Sequence, residues 1–324
     1  MGIARREGNE MSNQRAFPDD PVPPGADPGS DPSVPRRAVL GGSVALLASL
    51  AGCSGNDAVV VGKRDESTAT YDLQSGTVRV DAESGDVTVR PGGDDEVRVT
   101  TTKSGSIFAS MDATTVTSRL EDDTVVVETT TEPAGWFSPH PDVDVDVDVP
   151  SGVAVASVAV ENGDAVVDGA PVRQEATVES RNGDAVVRDV EGDVSAETVN
   201  GDAAAESVDG FAAARSENGD ATVRECAGVD GAATRNGDAT AEVTSLRGDA
   251  TIRSQNGDVD ARLAPDLDAR VVAQTDNGDV ELSDAPLSAE TNTEEYVEGT
   301  MGDGTHELRL TTQNGDVTVS RLSR

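Results

Sequence analysis

The sequence predicts an all-β fold, a β-solenoid of parallel β-helix type with eighteen-residue coils. Three observations carry this. A glycine recurs every nine residues at Gly183, Gly192, Gly201, Gly210, Gly219, Gly228 and Gly237, and Gly248 and Gly257 continue the series after a two-residue insertion. Every second interval closes on the same tripeptide, at Asn182-Gly183-Asp184, Asn200-Gly201-Asp202, Asn218-Gly219-Asp220 and Asn236-Gly237-Asp238. Between the glycines, apolar and polar residues alternate. Self-similarity at a short fixed period marks a stack of equivalent units. The unit here is a coil of two nine-residue halves.

Each half reads as a short strand and a turn. Two residues after the glycine stand Ala185, Val194, Ala203, Ala212, Ala221, Ala239 and Ala250; four after it stand Val187, Ala196, Ala205, Ala214, Val223, Ala232, Ala241 and Ile252. A period of two puts both positions on one face of a strand. Two halves per coil then give two parallel sheets facing one another, and the alanines require a thin core. Glycine at each corner admits a positive φ without a Cβ clash. Asn-Gly also suits a hairpin turn, so a meander of hairpins is the rival. Stacking of like on like better explains an identity that alternates two distinct halves.

The seventh position separates the halves: Val190, Val208 and Cys226 in one, Val199, Glu217, Arg235 and Gln255 in the other. Cys226 therefore reads as a buried small hydrophobe. At a strand spacing of about 4.8 Å, the asparagines of successive coils can hydrogen-bond along the axis. The column Asp184, Asp202, Asp220, Asp238, Asp258 and Asp279 reads as local turn capping or, alternatively, as a row of cation sites. Five residues after the corner glycine, Arg188, Glu206, Arg224 and Glu242 alternate in sign, an expected charge ladder facing solvent.

The repeat assigns 151–324 to the solenoid. Residues 67–150 lack the beat and read as N-terminal strands and cap, with strands at 77–80, 86–90, 124–131 and, where Val alternates with Asp before Pro150, 143–149. The segment 285–308 interrupts the series before Asn314-Gly315-Asp316 restores it, as expected where a solenoid hides its last open edge.

Ahead of all this, Arg36-Arg37, an apolar run over 38–52 and Leu50-Ala51-Gly52-Cys53 follow in order. Residues 1–52 thus read as a twin-arginine signal peptide with a lipobox, and Cys53 as the lipid-bearing first residue of the mature chain. The run is short of the about 20 residues a membrane span needs; an uncleaved anchor helix is the alternative. Residues 53–66 read as a tether.

The chain holds 61 acidic and 25 basic residues, a net −36, and Lys63 and Lys103 are its only lysines. Residues 1–52 hold five basic and six acidic residues, so the mature chain keeps −35. Such a surface excludes a general attraction to nucleic acid or anionic lipid. Near 1 M salt the Debye length falls to about 3 Å, which makes it tolerable. Only His140 and His306 are present, and no Ser-His-Asp spacing, Cys/His metal cluster or Gly-rich phosphate loop appears. The reading is a non-enzyme without cofactor or metal. Trp136-Phe137, the one aromatic cluster, reads as a plug of the cap or as a ligand loop.

The arginine-for-lysine bias and abundant Asp resemble haloarchaeal proteins. The recurrent Asn-Gly-Asp turns followed by Val or Ala, Pro150 after the Val/Asp strand, and the closing Gly302-Asp303-Gly304 and Asn314-Gly315-Asp316-Val317 resemble an adhesin-like domain family of unknown function. Its members are β-solenoid domains on exported or membrane-linked bacterial and archaeal proteins. The resemblance covers roughly 75–324. It implies adhesion; together with the export signal and lipobox, the chain reads as a surface protein, adhesive or scaffolding, held on the outer face of the cell membrane by a lipid on Cys53 and meeting a protein or glycan partner. The resemblance supplies no catalytic residues. A polysaccharide-acting β-solenoid enzyme and an envelope sensor or assembly accessory are the alternatives. Calcium-binding rolls share the nine-residue rhythm but need Gly-Gly-x-Gly-x-Asp in each nine. One glycine per corner excludes bound calcium as a structural requirement.

Overall fold

The computed structural model describes residues 63–323 apart from 94, 107–108 and 133–140. Arg36, Arg37, Cys53, Trp136, Phe137 and His140 lie outside the described residues. The strands form two long sheets, of 12 and 13 strands, paired mainly in parallel. One coil contributes Ala185–Glu191 to the first sheet and Asp193–Asn200 to the second. The next coil adds Ala203–Asp209 and Phe211–Asn218. Register follows the eighteen-residue alignment residue for residue: Ala185 opposite Ala203, Val187 opposite Ala205, Val194 opposite Ala212 and Asn182 opposite Asn200. The hairpin meander is thereby excluded for the repeat region.

The inward positions read from the sequence are buried throughout, from Ala185 and Val187 to Ala241 and Ile252. Through the middle coils this core is mostly alanine and valine. Larger side chains, Ile252, Leu263, Leu308 and Leu310, fill it toward the C-terminal end.

The two corners of a coil turn by different means, which corrects the expectation that glycine supplies a positive φ at both. At the Asn-Gly-Asp corner it does: Gly183, Gly201, Gly219 and Gly237 have φ of 148°, 147°, 145° and 143°. At the other corner Asp189 (54°), Ser207 (53°) and Glu225 (53°) are left-handed, and of Gly192, Gly210, Gly228 and Gly248 only Gly192 has a positive φ, 120°. That kink breaks the alternation, so Val190, Val208 and Cys226, all buried, turn inward one residue later. Gly210 answers a close approach instead: a Cβ on it would lie 2.2 Å from the Gly192 carbonyl oxygen.

At both ends, order in space departs from order in sequence. The coil of Gly76–Ala82 and Val87–Pro91 lies between that of Thr124–Thr131 with Asp142–Val149 and that of Val153–Asn162 with Ala165–Asp168. At the other end, His306–Asn314 and Val317–Arg321 insert between Ala250–Arg253 with Val259–Leu263 and Ala269–Asn277 with Val280–Ser283. The coil that restores the repeat is last in the chain but second to last in the stack. The interruption forms the hairpin Ser288–Asn292 and Tyr296–Met301, which pairs antiparallel with Ala269–Asn277. It covers the edge of the 13-stranded sheet, whose unpaired N–H and C=O groups would otherwise invite another strand. Lys63–Asp72 does the same for the 12-stranded sheet through Glu96–Gly105. Residues 63–66, read as the end of a tether, are therefore the start of an edge strand.

Candidate functional site

The repeated corner is the most elaborated polar feature, and it adds a fourth column to the Asn, Gly and Asp read from the sequence. The Asn side chains stack as expected, each Nδ2 donating to the Oδ1 of the preceding coil: Asn182 to Asn162 (2.9 Å), Asn200 to Asn182 (2.9 Å), Asn218 to Asn200 (3.0 Å), Asn236 to Asn218 (2.8 Å), Asn256 to Asn236 (2.9 Å) and Asn314 to Asn256 (2.9 Å). The corner glycine lies where the coils touch: a Cβ on Gly219 would sit 2.0 Å from the Gly201 oxygen. That oxygen also accepts from Ser216 Oγ at 2.8 Å.

Ser216 belongs to a column the sequence reading missed. Two residues before each Asn from Asn182 onward stands a hydroxyl, Ser180, Thr198, Ser216, Thr234, Ser254, Thr275 or Thr312, buried and donating to a corner glycine carbonyl at 2.7–2.9 Å. The signal was present as Ser/Thr-x-Asn-Gly-Asp. Strand alternation points these residues inward with the valines, and a buried hydroxyl requires an acceptor.

The Asp column does not cap its own turn. Asp184 Oδ1 accepts the backbone N–H of Asp202, Asp202 that of Asp220, Asp220 that of Asp238 and Asp238 that of Asp258, each at 2.8 Å. Asp316 intervenes between Asp258 and Asp279. One oxygen of each carboxylate from Asp184 to Asp258 is thus committed to the next coil. Among the described residues no three His, Cys, Asp or Glu side chains converge as ligands of a metal ion.

Outside the corner, charges run in ladders. Arg188, Glu206 and Arg224 stand opposite one another in the 12-stranded sheet, extended by Asp168 before them and by Glu242 opposite Arg262 after them. The expected alternation is therefore in register from Arg188 to Arg224. Ion pairs close at only two rungs, Arg188 with Asp168 at 3.0 Å and Arg262 with Glu242 at 3.1 Å. Arg224 Nε is shut from solvent without an acceptor. Beside it the Cys226 thiol is 3% exposed, and burial pushes its pKa up to about 11.

The outer face of the 13-stranded sheet carries a second series, Arg181–Glu161, Arg215–Glu197 and Arg235–Glu217. Here the surface is hollowed. A groove of about 390 Å³ runs past Glu179, Glu197, Val199, Arg215, Arg235 and Arg253. A neighbouring groove of about 490 Å³ shares Glu179 and Val199 with it. Ala233 makes the notch: it lies opposite Arg215 on one side and Arg253 on the other, with Arg235 two residues along. Arg253 has no ion pair among the described residues. One end of the same face is closed by the insertion, where Arg247 stacks 4.5 Å over the Phe211 ring and bonds Asp193 and Asp230.

A family model described as Toastrack DUF4097 matches residues 76–320. The chain belongs to the toastrack family. The match spans nearly all of the region drawn from the repeat pattern. Among solved structures, the toastrack chain is similar to a candidate adhesin from Bacteroides fragilis NCTC 9343, with 10% identity, coverage of 80% and 97% of the two chains, and a TM-score of 0.39. It is also similar to a candidate adhesin from Parabacteroides merdae ATCC 43184, at 10%, 80% and 96%, and 0.31. A candidate lipid-binding protein from Parabacteroides distasonis ATCC 8503 matches at 9%, 80% and 97%, and 0.31. Likenesses this distant carry no argument about activity. No curated protein matches the chain.

Proposed function

We propose that this toastrack solenoid is an exported, lipid-anchored surface scaffold, and that the grooved outer face of its 13-stranded sheet is where it meets a protein or glycan partner. The observation that carries the reading is where the repeated polar groups are spent. Asn, Asp and Ser/Thr of each corner bond coil to coil, including the carboxylates that glycoside hydrolysis would need free in pairs. What remains variable from coil to coil is the outward side chains along the groove. Arg215, Arg235 and Arg253 gather there in a chain with 61 acidic and 25 basic residues. An anionic group on the partner, a carboxylate or a sulfate, fits that notch, since guanidinium groups bind such oxygens in pairs.

Export and anchoring rest on Arg36, Arg37 and Cys53. Cys53→Ser releases the protein to the medium or traps the precursor, and Arg36-Arg37→Lys-Lys blocks export. An unprocessed Cys53→Ser chain retained in the membrane supports the anchor-helix alternative instead. Binding is tested by a glycan array and pull-down in concentrated KCl with the intact protein, Trp136→Ala and Arg253→Glu. Loss of capture with Arg253→Glu alone supports the groove. Loss with Trp136→Ala alone moves the binding site to Trp136.

A further inference from the structure

All eight Asn-Gly pairs of the chain, at Asn162, Asn182, Asn200, Asn218, Asn236, Asn256, Asn277 and Asn314, stand in one ladder. The ladder has a direction. Each corner glycine donates its N–H to the asparagine carbonyl of the next coil: Gly163 to Asn182, Gly183 to Asn200, Gly201 to Asn218, Gly219 to Asn236, Gly237 to Asn256, Gly257 to Asn314 and Gly315 to Asn277, at 2.9–3.0 Å. Asn277 belongs to the outermost coil. Gly278 has no coil beyond it, and among the described residues its N–H has no acceptor. The loop that closes on this coil reaches Val280 N–H through Glu294 O at 2.6 Å and Thr275 N–H through Glu295 O at 3.1 Å, leaving Gly278 between them.

The side chains show the same asymmetry. Asn277 Nδ2 donates inward to Asn314 Oδ1 at 3.2 Å, the longest bond of the ladder, and to Gln313 O at 3.1 Å. Its own Oδ1 accepts nothing among the described residues. Interior asparagines are gripped from both sides.

Asn-Gly is the sequence in which a backbone nitrogen most easily reaches the preceding side-chain carbonyl, because glycine sets no Cβ in its path. The Gly nitrogen attacks Asn Cγ. The N–Cγ bond forms, the Cγ–Nδ2 bond breaks, and Nδ2 leaves as ammonia with the proton that nitrogen gives up. A five-membered succinimide results, and water opens it at either carbonyl to aspartate or isoaspartate. No oxidant or reductant is needed. In the interior, the nitrogen must first leave a coil-to-coil hydrogen bond, and the residue must rotate away from neighbours on both sides. At Gly278 neither barrier is complete.

We propose that Asn277-Gly278 is a site of spontaneous deamidation, the one Asn-Gly of the ladder open to it in the folded protein. The product places a new carboxylate between Asp276 and Asp279. Isoaspartate also adds a methylene to the backbone, which the stack cannot accommodate, so the outermost coil and its hairpin loosen while the interior stays intact.

The folded full-length chain is held at mildly alkaline pH in concentrated KCl, sampled over time and mapped by peptide mass spectrometry with enzymatic isoaspartate detection. Conversion at Asn277 is expected to run at least about tenfold faster than at any other Asn-Gly, a difference in local opening of about 1.4 kcal/mol. A urea-unfolded sample converts all eight at similar rates, which shows that the fold and not the flanking sequence sets the contrast. Equal rates along the folded ladder, an interior site converting fastest, or an unchanged Asn277 once the unfolded chain has fully converted would each overturn the proposal.

Discussion

Replacing Gly219 by alanine tests the stacking where the coils are closest. The added Cβ would meet the Gly201 carbonyl oxygen at 2.0 Å and its carbon at 2.6 Å, both backbone atoms that cannot swing aside. Gly219 also has φ of 145°, a region alanine enters at a cost of about 1–3 kcal/mol. Relieving the overlap parts two coils. The first bonds to go are Gly201 N–H to Asn218 O (3.0 Å) and Ser216 Oγ to Gly201 O (2.8 Å), each contributing about 0.5–1.5 kcal/mol. Together these give a loss of roughly 3–5 kcal/mol. Gly248→Ala is the control. Nothing lies within 4 Å of a Cβ there and φ is not in the left-handed range, so the change stays within about 0.5 kcal/mol of the parent. The assay is urea unfolding in KCl followed by far-UV circular dichroism. A stack weakened at one corner can melt in two steps, and the earlier step then carries the cost. If Gly219→Ala and Gly248→Ala unfold at the same midpoint, the contact geometry argued for the corner is wrong.

Three further outcomes follow from other parts of the molecule. Glu206→Arg sets three arginines in line with Arg188 and Arg224; the loss is under about 1 kcal/mol and disappears in concentrated salt, while adding Arg188→Glu and Arg224→Glu restores low-salt stability, as paired melting curves at two salt concentrations will show. Cys226 reacts with a thiol reagent only as fast as the protein unfolds, because the thiol is buried and its pKa stands near 11; Cys226→Val, which continues the Val190–Val208 column, costs less than about 1.5 kcal/mol, and rapid labelling of the native chain would contradict both. In the C-terminal cap, hydrogen bonds from Thr305 Oγ1 and N–H hold the Asp268 carboxyl below its ordinary 3.8, and Tyr296 and Arg270 hold Glu298 below 4.5. Both folded values are depressed, so their stabilisation is present above the ordinary values and is lost as pH falls through the folded ones. Amide exchange in 288–305 should therefore rise below about pH 4 before it rises in the middle coils, and a uniform response along the stack would refute this.

The candidate site divides along the same line as the fold. The Asn ladder was legible because identical residues eighteen apart must stack if the coil is eighteen residues long. The Ser/Thr column was equally periodic yet escaped notice, since serine and threonine interchange and their burial appears only once the corner carbonyls have a place. The groove could not be read at all. Ala233 is one more alanine in sequence, and it becomes a notch only when Arg215 and Arg253 come to flank it from coils on either side.

By itself the sequence determined what repeats: the length of the coil, its two halves, the inward alanines and valines, the buried Cys226 and the alternation of charge. All of these follow from periodicity, which fixes register wherever one face is buried. Tertiary structure alone decided what does not repeat. The Asp carboxylates serve the next coil rather than their own turn, because the nearest unpaired N–H lies across the stack. The second corner bends at Asp189, Ser207 and Glu225, and Gly210 there serves close approach. Both ends interlace, with the coil that closes the chain lying inside the one before it. A parallel stack has open edges that its period cannot satisfy, and the chain must depart from the period to cover them.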